Sequence, residues 1–111
     1  MIDNNRMIAK AAIKASDIIL KKEVFSDQPR FTIMFLLYLN RKIGTVELQR
    51  LLELTPGNLD HHLKTLEKAN LISIKKKITW RPLNVVIITT EGIEAFRNYA
   101  LHLKELLKDI F

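Results

Sequence analysis

Residues 55–72 read TPGNLDHHLKTLEKANLI, and this stretch decides the fold. Thr55 and Pro56 are typical of a helix start, because a threonine hydroxyl can cap the first turn and proline lacks only an N–H that is unpaired there anyway. Four apolar residues then share one side of a helix: Leu59, Leu63, Leu66 and Ala69. Asn70 can adopt the left-handed conformation that ends a helix. The stretch therefore predicts a helix over residues 57–69 with one side in a core.

The opposite side of this helix carries hydrogen-bonding side chains of short or middle length: Asn58, His61, His62 and Thr65, with Lys68 beside them. An ordinary solvated helix would carry long glutamate and lysine side chains there instead. Asparagine can pair with adenine, threonine can contact a thymine methyl group, and neutral histidine can donate or accept a hydrogen bond. This side is therefore typical of a DNA-recognition helix. The alternative interpretation is an ordinary polar face, with His62 partly tucked against the preceding helix.

Apolar spacing and capping residues predict helices on both sides of this stretch. A first helix begins at Asp3 or Asn4 and runs to about Lys22. A second covers residues 30–39 behind Pro29 and is apolar nearly all round, which predicts a central core helix. A third covers residues 45–54 with three leucines pointing inward, Leu48, Leu51 and Leu52. The last is capped by Thr89 or Thr90 and runs to about residue 109.

From Leu71 onward the hydrophobic period changes to two, as expected for strands. Residues 72–78 and 85–89 are rich in β-branched side chains and flank a turn, so they predict a hairpin. Ile43 is expected to form a very short additional strand. The predicted fold class is mainly α with a small β-hairpin, in the order α-α-(β)-α-α-β-β-α.

The hairpin carries a basic run followed by aromatic and apolar residues, with Lys75, Lys76, Lys77 and Arg81 as its cations. One interpretation is a wing that grips DNA phosphates, with Arg81 entering the minor groove. Another is an edge strand whose lysines prevent aggregation. Trp80 is expected to pack on the base of the wing, although a partner contact is the alternative.

Residues from about 30 to 107 resemble the winged helix-turn-helix domain of small prokaryotic transcription regulators of the MarR/ArsR type. The likeness rests on the pattern T-P-G-N-L-x-x-H-L-x-x-L-E-x-A-G-L-I, a basic hairpin and a final T-x-x-G-x-x-A-F helix. The matching residues are Thr55, Pro56, Gly57, Asn58, Leu59, His62, Leu63, Leu66, Glu67, Ala69, Leu71, Ile72, Thr89, Gly92, Ala95 and Phe96. Asn70 stands where the pattern has glycine, and residues 79–84 depart from the family's usual glycine- and arginine-rich tip.

This resemblance implies sequence-specific binding of double-stranded DNA, with the helix over residues 57–69 in the major groove and the hairpin over residues 75–84 on the backbone or minor groove. The predicted DNA contacts are Thr55, Gly57, Asn58, His61, His62, Thr65, Lys68, Lys75, Lys77 and Arg81. Two other functions remain open at this point. A winged helix can serve as a protein-interaction module, or it can be an architectural chromatin protein that binds every sequence alike.

Charge is distributed as DNA binding requires. The chain of 111 residues has a net charge of +6, and residues 28–90 alone hold ten Lys or Arg against four Asp or Glu. All of the excess positive charge therefore lies in the proposed reading unit. The 48% hydrophobic content is enough for one core, and the chain has no cysteine. Charges interrupt the N-terminal residues every few positions, so we expect neither a signal peptide nor a membrane span but a cytoplasmic, nucleoid-associated protein.

The two terminal helices have longer apolar stripes than one small core can cover, which predicts a two-fold homodimer. The expected interface residues are Ile8, Ala11, Ala12, Ala15, Ile19, Phe96, Leu103, Leu107 and Ile110. The alternative is a monomer whose terminal helices pack on each other. We expect a single domain over residues 1–111, with dimerisation helices at 1–24 and 91–111 and a winged helix-turn-helix core at 29–90.

Metal binding and catalysis are not expected. His61, His62 and His102 are the only histidines, adjacent histidines on a helix point about 100° apart, and no cysteine or acid completes a ligand set. No nucleophile–base pair, carboxylate pair or glycine-rich phosphate loop occurs. We therefore expect no enzyme activity and no cofactor. A small-molecule effector is possible in a protein of this type, but no residue pattern indicates one.

Overall fold

The structure is a computed structural model, and it describes residues 23–78, 80 and 83–110. In chain order its elements are α1 (Gln28–Asn40), β1 (Lys42–Gly44), α2 (Thr45–Leu52), α3 (Pro56–Lys68), β2 (Ile72–Lys77), β3 (Leu83–Ile88) and α4 (Thr90–Leu107). This order confirms the predicted fold class, which is mainly helical with a small β-hairpin. The predicted first helix lies almost entirely outside the described residues.

Side-chain caps begin three of the helices, and those at Thr55 and Thr89 were expected from the sequence. The Asp27 carboxylate accepts a hydrogen bond from the Arg30 backbone N–H at 3.1 Å, so α1 starts two residues earlier than predicted. The Thr55 hydroxyl accepts from the Asn58 N–H at 3.2 Å. Thr89 does the same for α4. Each cap satisfies a backbone donor that has no partner within its own helix.

Left-handed residues end the helices α2 and α3. Asn70, with a φ of 60°, follows α3 and turns the chain toward β2, as predicted. Glu53, with a φ of 54°, ends α2 two residues before the predicted end. The two consecutive helices are therefore separated by residues 53–55, the short connection that a helix-turn-helix needs.

One hydrophobic core joins α1, α2, α3, the sheet and the first half of α4. Its fully or almost fully buried side chains are Phe25, Ile33, Met34, Leu37, Ile43, Leu48, Leu59, Leu63, Leu66, Leu71, Ile72, Val86, Ile88, Ala95 and Phe96. No charged or polar residue of the described part is buried with them. The inward stripe predicted for residues 57–69 is thus confirmed.

Helix α1 is the predicted central core helix, because Ile33, Met34 and Leu37 are fully buried and the helix contacts the sheet and the other three helices, although Phe35 and Leu39 are exposed. One prediction for the neighbouring helix α2 was wrong. In α2, Leu48 is buried but Leu51 is 58% exposed. Leu51 and Leu52 lie on opposite sides of Leu48 around the helix axis, about 60° and 40° away, and the core lies on the side of Leu52.

The sheet has three antiparallel strands in the order β1-β3-β2. Ile43 of β1 pairs with Val86, which confirms the predicted short strand, and Ile74 of β2 lies on the other side of Val86. The last pair of the hairpin is Lys77 with Leu83. Because the buried strand residues lie at the base, the distal half of the hairpin projects away from the core.

Gly92 allows α4 to cross the end of the α3–β2 connection at close range. A Cβ atom at this position would clash with the carbonyl oxygen of Leu71. That same oxygen accepts a hydrogen bond from the Thr89 N–H at 3.1 Å, and the Thr89 hydroxyl donates to the Asn70 carbonyl at 2.7 Å. The end of α3 and the start of α4 are therefore held together, which fixes the hairpin between them.

Candidate nucleic-acid interface

Helix α3 has one buried side and one side that the described residues leave to solvent. Leu59, Leu63 and Leu66 hold the buried side in the core. Asn58, His61 and Lys68 are exposed on the other side. The core anchors the helix, so its outer side chains can reach a partner without any rearrangement of the fold.

The start of α3 is also exposed. Thr55 uses its hydroxyl as the helix cap, and Gly57 faces open space, since an added Cβ would meet nothing within 4 Å. Thr65 is half-buried, and its hydroxyl donates to the His61 carbonyl oxygen at 3.1 Å. The structure therefore brings together the predicted residues Thr55, Gly57, Asn58, His61, Thr65 and Lys68 on one accessible surface, which we call the α3 outer face.

Lys64 belongs to the α3 outer face and was missed from the sequence. Its side chain is exposed, and its ammonium group lies 2.9 Å from the Asp60 carboxylate one turn earlier. Counting about 100° per residue places Lys64 about 60° from His61 around the helix axis, with Lys68 between them. That count from His61 could have found it, but the sequence interpretation followed the stripe that begins at Asn58.

His62 is the predicted contact that the structure places differently. Its side chain is only 13% exposed and lies against the start of α1, not against the preceding helix α2. Its Nδ1 atom is 3.4 Å from the Arg30 guanidinium and 3.7 Å from the Asp27 carboxylate. Burial lowers the pKa of His62 below its usual 6.5, which favours the neutral ring.

The wing carries its cations on β2. Lys75, Lys76 and Lys77 are all exposed on the half of the hairpin that projects from the core. The predicted contact Arg81 lies outside the described residues. Trp80 is 92% exposed, so the prediction that it packs on the base of the wing was wrong. The buried strand residues lie at the hairpin base, whereas Trp80 lies beyond the last strand pair, Lys77 with Leu83.

The predicted dimer residues fall into three groups. Those of the first helix, Ile8, Ala11, Ala12, Ala15 and Ile19, lie outside the described residues. Phe96 is only 3% exposed and packs on the rings of Phe25, Phe31, Phe35 and Tyr38, so the structure corrects it to a core residue of its own chain. Leu103 is half-buried, while Leu107 and Ile110 are exposed. Two further exposed leucines of α4, Leu101 and Leu106, were not predicted.

The described residues form neither a metal site nor a membrane-spanning helix. Among residues 23–78, 80 and 83–110, no group of three or more His, Cys, Asp or Glu side chains is placed to hold a metal ion. His61 and His62 are neighbours, but their ring centroids are 5.4 Å apart and tilted by 57°. None of the described helices has both the length and the apolar character needed to cross a membrane.

Residues 29–107 match the family of winged helix DNA-binding domains, which is most of the chain and includes both α3 and the hairpin. The chain belongs to this family.

Relatives of this winged-helix protein support the same assignment. It is similar to a transcriptional regulator homologue from Pyrococcus horikoshii, with a TM-score of 0.78, 36% identity and coverage of 83% of this chain and 92% of that one. An uncharacterised protein of Methanocaldococcus jannaschii is 37% identical over 79% of this chain and 97% of its own length. The arsenical resistance operon repressor of Bacillus subtilis is 38% identical over 54% of this chain and 57% of its own.

The predicted resemblance to winged helix-turn-helix transcription regulators is confirmed by these similarities, and the arsenical resistance repressor among the relatives agrees with the predicted MarR/ArsR type. The predicted function class, a DNA-binding transcriptional regulator and not an enzyme, is likewise confirmed at the level of the family.

Proposed function

We propose that this winged-helix protein regulates transcription as a homodimer that reads specific sequences in double-stranded DNA. In this proposal α3 enters the major groove. Asn58, His61 and Thr65 then meet base edges, while Lys64 and Lys68 meet neighbouring phosphates. The observation that carries the proposal is the two-sided burial of α3, whose apolar side is in the core while the polar α3 outer face is left to solvent by the described residues.

The wing extends the same surface in the proposal. Lys75 and Lys77 of β2 hold the flanking DNA backbone, and the predicted contact Arg81, outside the described residues, is assigned to the same role. Exposed lysines on a projecting hairpin are free to follow a phosphate strand, because no carboxylate of the described residues lies within 4 Å of them. Each phosphate that is neutralised releases counterions, so the affinity must fall steeply as salt is added.

The dimer in this proposal is built by the terminal helices. The second half of α4 and the turn after it leave apolar side chains exposed, namely Leu101, Leu106, Leu107 and Ile110. Contact with a second copy would remove this surface from water, at about 25 cal/mol for each Å². Two copies would then place two α3 helices on half-sites about 34 Å apart on one side of the duplex. The protein would act in the cytoplasm, on the nucleoid.

Fluorescence anisotropy with a labelled random-sequence duplex of about 25 base pairs tests DNA binding, with salt raised in steps. We expect binding at low salt and a steep loss as salt increases. In vitro selection from a random pool then tests specificity, and a clear consensus is expected. No binding at low salt would favour a protein-interaction module, and uniform binding without a consensus would favour an architectural protein.

The variant Asn58→Ala tests the α3 outer face on the selected duplex. Loss of one base contact of this kind costs about 1–3 kcal/mol, so we expect affinity to fall by about fivefold to a hundredfold. Asn98→Ala is the matched control, since Asn98 is an exposed asparagine of α4 away from the proposed surface. Equal losses in the two variants would refute a special role for the α3 outer face.

Trp80 provides a direct reporter for the wing, because it is the only tryptophan of the chain. If the wing meets DNA, its emission should change as the duplex binds, in step with the anisotropy of the labelled DNA. Binding without any change in tryptophan emission would place the wing tip away from the duplex.

A further inference from the structure

A polar cluster of Asp27, Arg30 and His62 joins the start of α1 to the middle of α3. The side chains of Arg30 and His62 are 17% and 13% exposed, respectively, which is low for charged and polar groups at a helix surface. His62 Nδ1 lies 3.4 Å from Arg30 Nη1. With a neutral ring protonated on Nε2, Nδ1 accepts a hydrogen bond from the guanidinium.

Arg30 is itself held in place by two further contacts. Its Nε atom donates to the Val24 carbonyl oxygen at 2.9 Å, and its Nη1 atom lies 3.8 Å from the Asp27 carboxylate. Asp27 also caps α1 through the Arg30 backbone N–H. The guanidinium is therefore a fixed point on α1, and a ring bonded to it is restrained in the same way.

We propose that His62 is a positioning residue for DNA recognition, whose contact with Arg30 sets the rotation of α3 about its own axis. This rotation decides where the α3 outer face points, because Asn58 and His61 precede His62 by one turn and one residue on the same rigid helix. The inference rests on the proposed function and replaces the base or phosphate contact predicted for His62.

Protonation changes the partner of the ring. The charged groups facing His62 are Asp27 before α1, Arg30 on α1 and His61 on α3. A protonated Nδ1 can no longer accept from Arg30, and it gains a hydrogen to donate to the Asp27 carboxylate, now 3.7 Å away. Recognition should therefore weaken as the ring becomes charged.

The experiment measures binding to two duplexes, the selected consensus and a random sequence, by wild type, His62→Ala, His62→Asn and His61→Asn. Loss of a hydrogen bond to a charged group should weaken His62→Ala on the consensus by about tenfold, with little change on random DNA. Asparagine keeps an acceptor near the place of Nδ1, so His62→Asn should restore most of the affinity. His62→Asn failing as badly as His62→Ala would overturn the proposal.

A double-mutant cycle separates positioning from direct contact. If His62 acts through Arg30, the variant carrying both Arg30→Gln and His62→Ala should bind no more weakly than Arg30→Gln alone. Arg50→Gln, at an exposed position of α2, controls for the lost positive charge. Fully additive losses would mean that His62 contacts DNA itself. Failure of the wild type to bind any duplex would instead refute the proposed function.

The pH profile supplies a readout that a merely structural role would not move. The ratio of wild-type to His62→Asn affinity for the consensus should be constant above pH 6.5 and fall at lower pH. Both proteins keep His61 and His102, so His62 is the only histidine that differs between them. Circular dichroism must show that both proteins are folded. A ratio that then stays constant down to pH 5 would refute the claim that protonated His62 exchanges Arg30 for Asp27.

Discussion

The α3 outer face and the second half of α4 are both helix surfaces that the described fold leaves open, yet their chemistry is opposite. The first carries Asn58, His61, Lys64 and Lys68, whereas the second carries Leu101, Leu106 and Leu107 and is followed by the exposed Ile110. A polar, cationic face can exchange water for phosphates and base edges, and an apolar face gains only by contacting another apolar surface. Helical periodicity is the same in both, so the exposed chemistry alone distinguishes a DNA surface from a protein surface.

The largest expected effect is a loss of folding stability when a leucine on the buried side of α3 is shortened, compared with an exposed leucine of α4. Leu66→Ala removes a fully buried side chain and should lower the free energy of unfolding by about 3 kcal/mol in urea denaturation. Leu106→Ala, at a position that is 54% exposed in the single chain, should cost less than about 1 kcal/mol when both variants are compared at a protein concentration low enough for monomers. Similar losses at the two positions would contradict this division.

The next effect tests the apolar surface of α4. Leu107→Gln should raise the dissociation constant of the dimer about tenfold. Leu107 is exposed in the single chain, and dimer formation would then bury a polar amide in place of an apolar side chain. Sedimentation velocity over a concentration series measures this. Glu105→Gln, an exposed neighbour on the same helix, should leave the dimer unchanged. A dimer insensitive to Leu107→Gln would move the interface elsewhere.

A smaller effect compares one lysine from each region. Lys64 and Lys108 are both exposed and each forms an ion pair within its own chain, at 2.9 Å with Asp60 and at 3.1 Å with Glu105. Lys64→Ala should reduce the slope of log affinity against log salt by about 0.9, the value for one lost phosphate contact. Lys108→Ala should not. If both variants reduced the slope equally, the α3 outer face would have no special electrostatic role.

The smallest effect is the pH dependence of stability. Because burial holds the pKa of His62 below 6.5 in the folded state, the unfolded chain binds more protons between that lowered pKa and 6.5. The free energy of unfolding of wild type should therefore fall relative to that of His62→Asn as the pH falls through this window. Above the window, the difference between the two proteins should not change with pH. Urea denaturation of both proteins at pH 7.5 and 5.5 tests this, and an equal change in the two proteins would contradict it.

Most of the fold was predictable because local chemistry determines it. The caps at Thr55 and Thr89, the left-handed stop at Asn70 and the change of period after Leu71 are read from neighbouring residues. The errors concern residues at the border of a helix face. Leu51 shares a stripe with Leu48 in the sequence, and only the position of the core shows that it faces outward.

The candidate site shows the same division. Thr55, Gly57, Asn58, His61 and Lys68 could be placed on one face from their spacing alone, and Lys64 could have been added by the same count. The environment of His62 could not be found in this way, since its partner Arg30 lies 32 residues earlier in the chain. Phe96 is similar, because its four ring neighbours come from residues 25–38.

The amino-acid sequence by itself determined the order of the helices and the hairpin, the two-sided character of α3 and the concentration of positive charge in the reading unit. These depend on periodicity, capping and composition, which act over a few residues. Tertiary structure alone decided that His62 faces Arg30, that Phe96 belongs to the core and that the apolar end of α4 stays exposed. Each of these depends on which distant segment comes to lie beside a helix, and spacing along one helix carries no information about that.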